Sequence, residues 1–340
     1  MKWSYKLVLA LLSLVLILTA SGILFLYNRI NNVYHDDISY IFSDNPKYHF
    51  SLILKSDSDE YWQDFKEGVY EGAKAYNDVV EFHSVSTVDQ ESQIVEYINI
   101  ASKSQLDGVI VNGENSSLYG EAINAARRDG VEVVLGGVEF ATTERLSYVG
   151  TNFYEYGVQA AKLVSQVQTD DPDIQVAIIL SSNHEDGNLD GVTSQNALMM
   201  SGFKSVIDDI DNVEIVDTLY RESDLLGAEN LTREIFTQYE DIDIIFCTNA
   251  KDTVAASRII VERNLVGKVF IVGTDMTDEI ANYVRKGIVA GVLDRNGYLA
   301  GYKSVEILHN SLEGNFQPGY LDIDIDVYTL INIAAYHDER

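Results

Sequence analysis

The sequence is poor in cysteine, proline and basic residues. Its one cysteine, Cys247, cannot form an internal disulfide or a cysteine-rich zinc site, and three prolines in 340 residues exclude a proline-rich disordered chain. Lysine and arginine number 24 against 53 aspartates and glutamates, which gives a net charge of −29. A surface this acidic repels phosphate backbones, so we expect no nucleic-acid partner. The six histidines are scattered without a metal-ligand spacing, so we expect neither a metal nor a cofactor.

Motifs that would indicate catalysis are missing as well. The sequence has no Gly-x-Ser-x-Gly elbow, no Walker loop and no Gly-x-Gly-x-x-Gly after a predicted strand, so we predict that the protein is not an enzyme. Asp186–Gly191 matches the first six positions of a calcium loop, but position twelve is Ala197, where a glutamate should stand. Whether residues 186–191 bind calcium stays open on the sequence.

The N-terminus carries a long apolar run. Leu7–Tyr27 is uncharged, and its 21 residues are enough to cross a bilayer as a helix. Lys2 and Lys6 precede the run, which predicts a cytoplasmic N-terminus and an extracytoplasmic remainder. We therefore predict one transmembrane signal-anchor over residues 1–28 and a linker over 29–46. The apolar residues continue past the small residues at 19–22, which favours an uncleaved anchor over the alternative, a cleaved signal peptide.

Apolar runs and amphipathic stretches alternate after residue 47. Steps of three and four residues define a helical face formed by Trp62, Phe65, Val69, Ala73 and Tyr76. Short runs rich in valine and isoleucine, such as Asp107–Val111, are typical of parallel strands covered on both faces. The pattern repeats from Val176 onward. It predicts an α/β protein with two doubly wound parallel-sheet lobes joined by hinge strands.

The predicted lobes are each discontinuous in sequence. We assign residues 47–152 plus 295–317 to the N-terminal lobe, and 153–294 plus 318–335 to the C-terminal lobe. Hinge strands are expected near Gly150–Phe153, Leu293–Asn296 and Pro318–Leu321. The alternation of aspartate with isoleucine and valine over Asp322–Val327 predicts a strand with one solvated face.

Ligands of open α/β sheets bind beyond the carboxyl ends of the strands, and a cleft between two such lobes is a preferred location. The loops that follow predicted strands are therefore the candidates for a binding site: Lys55–Tyr61, Asn112–Ser117, Gly136–Thr142, Ser181–Ser194, Thr248–Asp252 and Thr274–Thr277.

Segments in and beside these loops carry a resemblance to a known family. The chain resembles the type I periplasmic sugar-binding proteins of the ribose- and galactose-binding kind, whose fold also forms the ligand domain of LacI-type repressors. The matching segments keep their order and spacing over about residues 47–335. They are Lys55–Trp62, Asp107–Asn112, Ile245–Asn249, Val272–Asp275 and Gly287–Asp294.

The resemblance implies a set of ligand contacts. Tyr61 and Trp62 occupy the family's aromatic pair, whose rings stack on a sugar, and Asp59 stands where a polar side chain contacts a hydroxyl. From the second lobe the resemblance implies Asn249 and Asp275, and on a hinge strand Asp294, where the family often has glutamine. The predicted set is completed by Ser56, Glu114 and Glu139. Read from the residues alone, Trp62 could pack in the core, and Asn249 or Asp275 could cap a helix.

Two arginines that the family commonly places at the sugar are missing. The stretch Ser194–Met200 holds none, and the loop after the third strand offers Glu139 without an arginine beside it. An ordinary aldose clamped by arginine is therefore in doubt, and the several carboxylates leave a cationic or amino-bearing ligand as an alternative.

The resemblance implies a membrane-tethered extracytoplasmic protein that captures a small sugar-like ligand and delivers it to an ABC transporter permease. The alternative is a sensing module that signals to a membrane histidine kinase or chemoreceptor, and an uncleaved anchor slightly favours it. A LacI-type repressor would need a helix-turn-helix where this chain has its apolar run.

Overall fold

The computed structural model describes residues 45–55, 59–85, 89–112, 116–137, 143–167, 169, 172–181, 194–221 and 225–337. Three of the predicted site residues, Ser56, Glu114 and Glu139, lie outside these ranges, as do Leu7–Tyr27 and the 186–191 loop. No helix within the described ranges is long and apolar enough to span a membrane.

Strands and helices alternate along most of the described chain. In order they are β1 (His49–Lys55), α1 (Glu60–Tyr76), β2 (Val79–Val85), α2 (Gln90–Lys103), β3 (Gly108–Val111), α3 (Ser117–Arg128), β4 (Glu132–Gly136), β5 (Ser147–Gly150), α4 (Phe153–Gln166), β6 (Ile174–Ser181), α5 (Ser194–Ile207), β7 (Val213–Arg221), α6 (Leu225–Gln238), β8 (Ile244–Cys247), α7 (Ala250–Glu262), β9 (Phe270–Thr274), α8 (Asp278–Arg285), β10 (Val289–Asp294), α9 (Gly297–Leu312), β11 (Tyr320–Asp322) and β12 (Asp326–Thr329), followed by a short 3₁₀ turn at Ala335–His337.

The strands form two six-stranded sheets. The first has the order β11-β5-β4-β3-β1-β2, and all of its pairings are parallel. The second has the order β12-β10-β9-β8-β6-β7 and is parallel except for the pairing of β12 with β10. The central strands β3 and β8 are buried at every residue, as expected for sheets covered by helices on both faces. The predicted α/β fold with two parallel-sheet lobes is confirmed.

Helices α1 and α9 pack against each other in backbone contact and run in the same direction. A Cβ added at Gly301 would lie 1.9 Å from the carbonyl oxygen of Phe65, and one at Gly68 would lie 1.9 Å from that of Tyr298. Only glycine permits this approach, because any side chain would overlap the facing backbone. The contact brings the start of α9, at Gly297, against the start of α1, at Tyr61.

The described chain passes between the two sheets at three places. It crosses at Thr151–Asn152 after β5, returns at Arg295–Asn296 after β10, and crosses again between β11 and β12. The third crossing differs from the sequence-based expectation. Residues 318–335 were assigned to the C-terminal lobe as a whole, whereas β11 pairs with β5 in the first sheet and β12 pairs with β10 in the second.

The aspartate-rich segment Asp322–Val327 is therefore not one continuous strand. It ends β11, crosses to the other sheet and begins β12. Its alternation has a different cause from the one predicted: Ile323 is buried at the crossing, and the Asp322 carboxylate accepts a hydrogen bond of 2.9 Å from the backbone of Asn152 at the neighbouring crossing.

Candidate functional site

The candidate site lies where the carboxyl ends of the strands meet the starts of the following helices. Asp59 immediately precedes α1 in extended backbone, and its side chain does not cap that helix. The carboxylate is half-buried, and its charge acts on Tyr61, Asp275 and Arg295. A carboxylate in this position is available to accept hydrogen bonds from a bound molecule.

Tyr61 is buried, with 4% of its surface exposed, and belongs to the core of the first lobe. Its ring meets that of Trp62 edge to face at 4.9 Å, and the guanidinium of Arg295 lies over it at 4.3 Å from the centroid. Burial raises the pKa of the Tyr61 phenol well above its usual range, although the nearby Arg295 lowers it in part. The tyrosine thus supports Arg295 by a cation–π contact.

Trp62 is half-buried beside the end of β4. Its indole packs edge-on against Phe65 at 5.3 Å, and a Cβ added at Gly137 would lie 2.4 Å from a ring carbon. Gly137 has a φ of 76°, so the position requires glycine both for its backbone and for the close approach of the indole. The tryptophan is therefore partly a packing residue and partly exposed at the end of the sheet.

Asp275 follows β9 in the second lobe and is 2% exposed. It forms a fork with Arg295, in which Nε donates to Oδ1 at 2.8 Å and Nη2 donates to Oδ2. Burial raises the pKa of the Asp275 carboxyl, and the guanidinium opposes this effect. Burial also disfavours the charged guanidinium, but the attraction of Asp275 outweighs it and holds the pKa of Arg295 well above its usual range.

Arg295 is a further candidate that does not belong to the predicted set, in which Asp294 alone stands for the crossing after β10. The same rule applies to Arg295, because it is the first residue beyond that strand. An arginine therefore does lie beside the candidate residues Tyr61 and Asp275, at a position other than the two that the family commonly uses.

Asn249 and Asp294 make contacts within their own segments. The Asn249 side chain is buried and accepts a hydrogen bond of 2.8 Å from the backbone of Asp252, so it caps α7. Oδ1 of Asp294 lies 3.5 Å from the backbone nitrogen of Asn296. Asn249 thus has the capping role that the sequence offered as an alternative to ligand contact.

Two further polar side chains lie at the carboxyl ends of the strands. Asn112 follows β3 and is 4% exposed, and its Oδ1 makes no hydrogen bond to any part of the chain that the structure describes. Gln195 of α5 donates from Nε2 to the carbonyl oxygen of Gly137, which joins the second lobe to the end of β4 in the first. A buried carbonyl oxygen without a donor is costly, so Asn112 is suited to accept a hydrogen bond from a ligand.

This chemistry suits the binding of a small polar molecule. The described residues supply a guanidinium, carboxylates, an amide and aromatic rings, which are the groups that contact hydroxyls and ring C–H surfaces. Among the same residues there is no group of three or more histidine, cysteine, aspartate or glutamate side chains that could hold a metal ion.

Comparison with known families decides the identity of the fold. The model of the periplasmic binding protein domain matches residues 50–316, which is most of the chain. The chain belongs to the periplasmic binding protein domain family. The resemblance to type I periplasmic sugar-binding proteins is thereby confirmed, and this periplasmic binding protein is a solute-binding protein and not an enzyme.

Curated relatives and solved structures agree with this assignment. The D-allose-binding periplasmic protein of Escherichia coli K12 is 22% identical over 255 residues, which cover 73% of this chain and 79% of the relative. The ribose import binding protein RbsB of Haemophilus influenzae is 23% identical over 221 residues, 64% of this chain and 70% of the relative. A structure from the XylFII–LytSN complex is 27% identical, has a TM-score of 0.70, and covers 85% of this periplasmic binding protein and 99% of the solved chain.

Proposed function

We propose that the protein captures a sugar or sugar derivative between its two lobes outside the cytoplasm. The observation that carries this proposal is the meeting of Tyr61, Arg295 and Asp275, which joins a side chain of the first lobe to one of the second at the carboxyl ends of the strands. Binding proteins for D-allose and ribose among the relatives support a sugar as the ligand.

The ligand contacts fall into two groups. Asp59, Trp62 and the buried Asn112 oxygen contact the ligand from the first lobe, where a carboxylate and an amide accept hydroxyl hydrogens and the indole stacks on the ring. Tyr61 and Asp275 hold Arg295, whose Nη1 takes no part in the bonds to Asp275 and donates to a ligand oxygen. Ser56, Glu114 and Glu139, which lie outside the described residues, stay in the proposed set on the resemblance alone. Asp294 belongs to the second-lobe side, as does Asn249, which also caps α7.

A thermal-shift screen tests the binding function. The full chain is heated with sugars, polyols and amino sugars, and a ligand present at 100 times its Kd stabilises the folded protein by about 2.7 kcal/mol. We expect one or more sugars to raise the melting temperature of the wild type, and the same sugar to have a smaller effect on Asn112→Ala. Binding confined to compounds unrelated to sugars would overturn the proposal.

Leu7–Tyr27 anchors the protein to the membrane and leaves the two lobes in the extracytoplasmic space. The support is the length and apolar character of this run and the lysines that precede it. The anchored protein should stay with membranes through carbonate and high-salt extraction. A soluble mature form that begins near Gly22 would contradict the anchor.

With its ligand bound, the protein delivers this ligand to an ABC transporter permease. A second candidate is a sensing role, in which the liganded surface signals to a membrane histidine kinase or chemoreceptor. The structure of the XylFII–LytSN complex supports this second candidate. Its matching chain is 27% identical to this protein, and there the fold occurs in a complex with another protein. Crosslinking in native membranes with and without the sugar distinguishes the two: a permease subunit supports transport, and a kinase or chemoreceptor supports sensing.

A further inference from the structure

The buried ion pair of the cleft is complete without a ligand. Asp275 is 2% exposed and the Arg295 side chain is 16% exposed. Nε and Nη2 of Arg295 donate to the two different carboxylate oxygens, which is the bidentate arrangement that pairs these groups most strongly. The charge of the buried Asp275 carboxylate is therefore neutralised by Arg295.

The guanidinium is held in place from both lobes. Tyr61 of the first lobe covers it at 4.3 Å, and Asp275 of the second lobe binds its edge. Asp59 and Asp294 add negative charge nearby, but both are half-buried. Asp275 lies in the interior and holds Arg295 by two hydrogen bonds, so water and salt screen this pair less than they screen Asp59 and Asp294.

We infer that Arg295 determines the charge specificity of the cleft: it neutralises Asp275 and so makes the site select an uncharged sugar over the amino sugar with the same ring. The inference rests on the proposed function and adds to it the class of ligand. Without the guanidinium, Asp275 has an unpaired carboxylate, and a protonated amine on a ligand is the group that satisfies it. Without the carboxylate, Arg295 attracts a sugar acid by the same reasoning.

Calorimetric titration of the full chain with matched sugars tests this inference. The probes are D-galactose, D-galactosamine and D-galacturonate, the corresponding glucose series, and D-allose and D-ribose as further neutral sugars. The proteins are the wild type, Arg295→Met, Asp275→Asn and the double variant, which lacks both charges of the pair. Arg258→Met is the matched control, because Arg258 pairs with Glu279 at 3.0 Å on the exposed surface of the second lobe.

The expected result is a reciprocal change in preference. The wild type binds the neutral member of a series best. Arg295→Met shifts the ratio of amino-sugar to neutral-sugar affinity by about tenfold or more toward the amino sugar, as expected for a close buried charge pair. Asp275→Asn shifts the preference toward the uronate by a similar factor, and the double variant again prefers the neutral sugar. Arg258→Met keeps the wild-type ratios.

Several outcomes would overturn the inference. The inference is wrong if the wild type prefers an amino sugar. It is also wrong if both single variants keep the wild-type ratios of charged-sugar to neutral-sugar affinity. Should Arg295→Met fail to fold because its buried carboxylate is unpaired, Asp275→Asn decides the question by its uronate preference. A wild type that binds no sugar at all defeats the proposed function itself and removes the ground for the inference.

Discussion

Replacing Gly301 by alanine tests how closely α9 must approach α1. The new Cβ would lie 1.9 Å from the Phe65 carbonyl oxygen, whereas carbon and oxygen in contact are ordinarily about 3.3 Å apart. The helices must therefore separate by roughly 1.4 Å at this point. The obstacle is backbone on the facing helix, so it cannot rotate away as a flexible side chain would.

The free energies of the two opposing effects can be compared. Overpacking of a close interface costs about 1–3 kcal/mol, and we expect the upper end because both partners are backbone. Alanine gains about 1 kcal/mol over glycine in helix propensity. The net effect is a loss of about 2 kcal/mol in the free energy of unfolding. Arg295 is two residues before α9, so the displacement also moves the guanidinium relative to Tyr61 and weakens ligand binding.

Urea denaturation followed by circular dichroism measures the difference. Gly120→Ala in α3 is the matched control, because the nearest atom to its new Cβ is a Thr143 methyl at 3.8 Å. This variant should be slightly stabilised by helix propensity alone. If Gly301→Ala proves as stable as the wild type, or if both variants lose stability equally, the close-contact reasoning is wrong.

Three further predictions concern the cleft and the first sheet. Trp62→Ala should weaken sugar binding by about 1–3 kcal/mol in calorimetry through lost stacking, and unchanged affinity would remove the indole from the site. Gln195→Ala removes the interlobe bond to Gly137 and should weaken binding by about 1 kcal/mol with a larger radius of gyration in small-angle scattering; an unchanged radius would contradict it. His83 has a pKa lowered by burial, against the opposing pull of Glu81, so the unfolded chain binds the proton more readily and stability should fall as pH drops below about 6.5. His83→Phe should flatten this dependence in thermal melts at several pH values, and an unaltered slope would refute the assignment.

Much of the fold followed from local patterns. The helix from Glu60 contains the whole face predicted from Trp62 to Tyr76, and β3 begins one residue after the predicted Asp107, because an amphipathic period and a continuous apolar run are both local signals. Strand β5 and helix α4 were not singled out. β5 has only four residues, too few for a clear pattern, whereas the buried residues Tyr156, Ala160 and Leu163 of α4 do follow a helical spacing that the prediction passed over.

The candidate site was less predictable than the fold. Position after a strand pointed to Asp59, Trp62 and Asp275 as candidates, but not to the pairing of Asp275 with Arg295. Those two residues are twenty positions apart, and their contact depends on the crossing after β10. A single sequence contains no signal for such a contact. Among the described residues no group donates a hydrogen bond to Oδ1 of Asn112. This lack of a donor likewise results from the burial of its surroundings and not from its residue type.

The last strands of the chain have a consequence for the order in which the protein is completed during synthesis. β11 is an edge strand of the first sheet and β12 is an edge strand of the second, although only three residues separate them. The first lobe also takes α9 from late in the sequence. Chains emerge from the ribosome N-terminus first, so the first described sheet lacks β11 until residue 322 has been made, and the second lacks β12 until residue 329. Truncation before β11 would remove an edge strand from each of the two lobes at once.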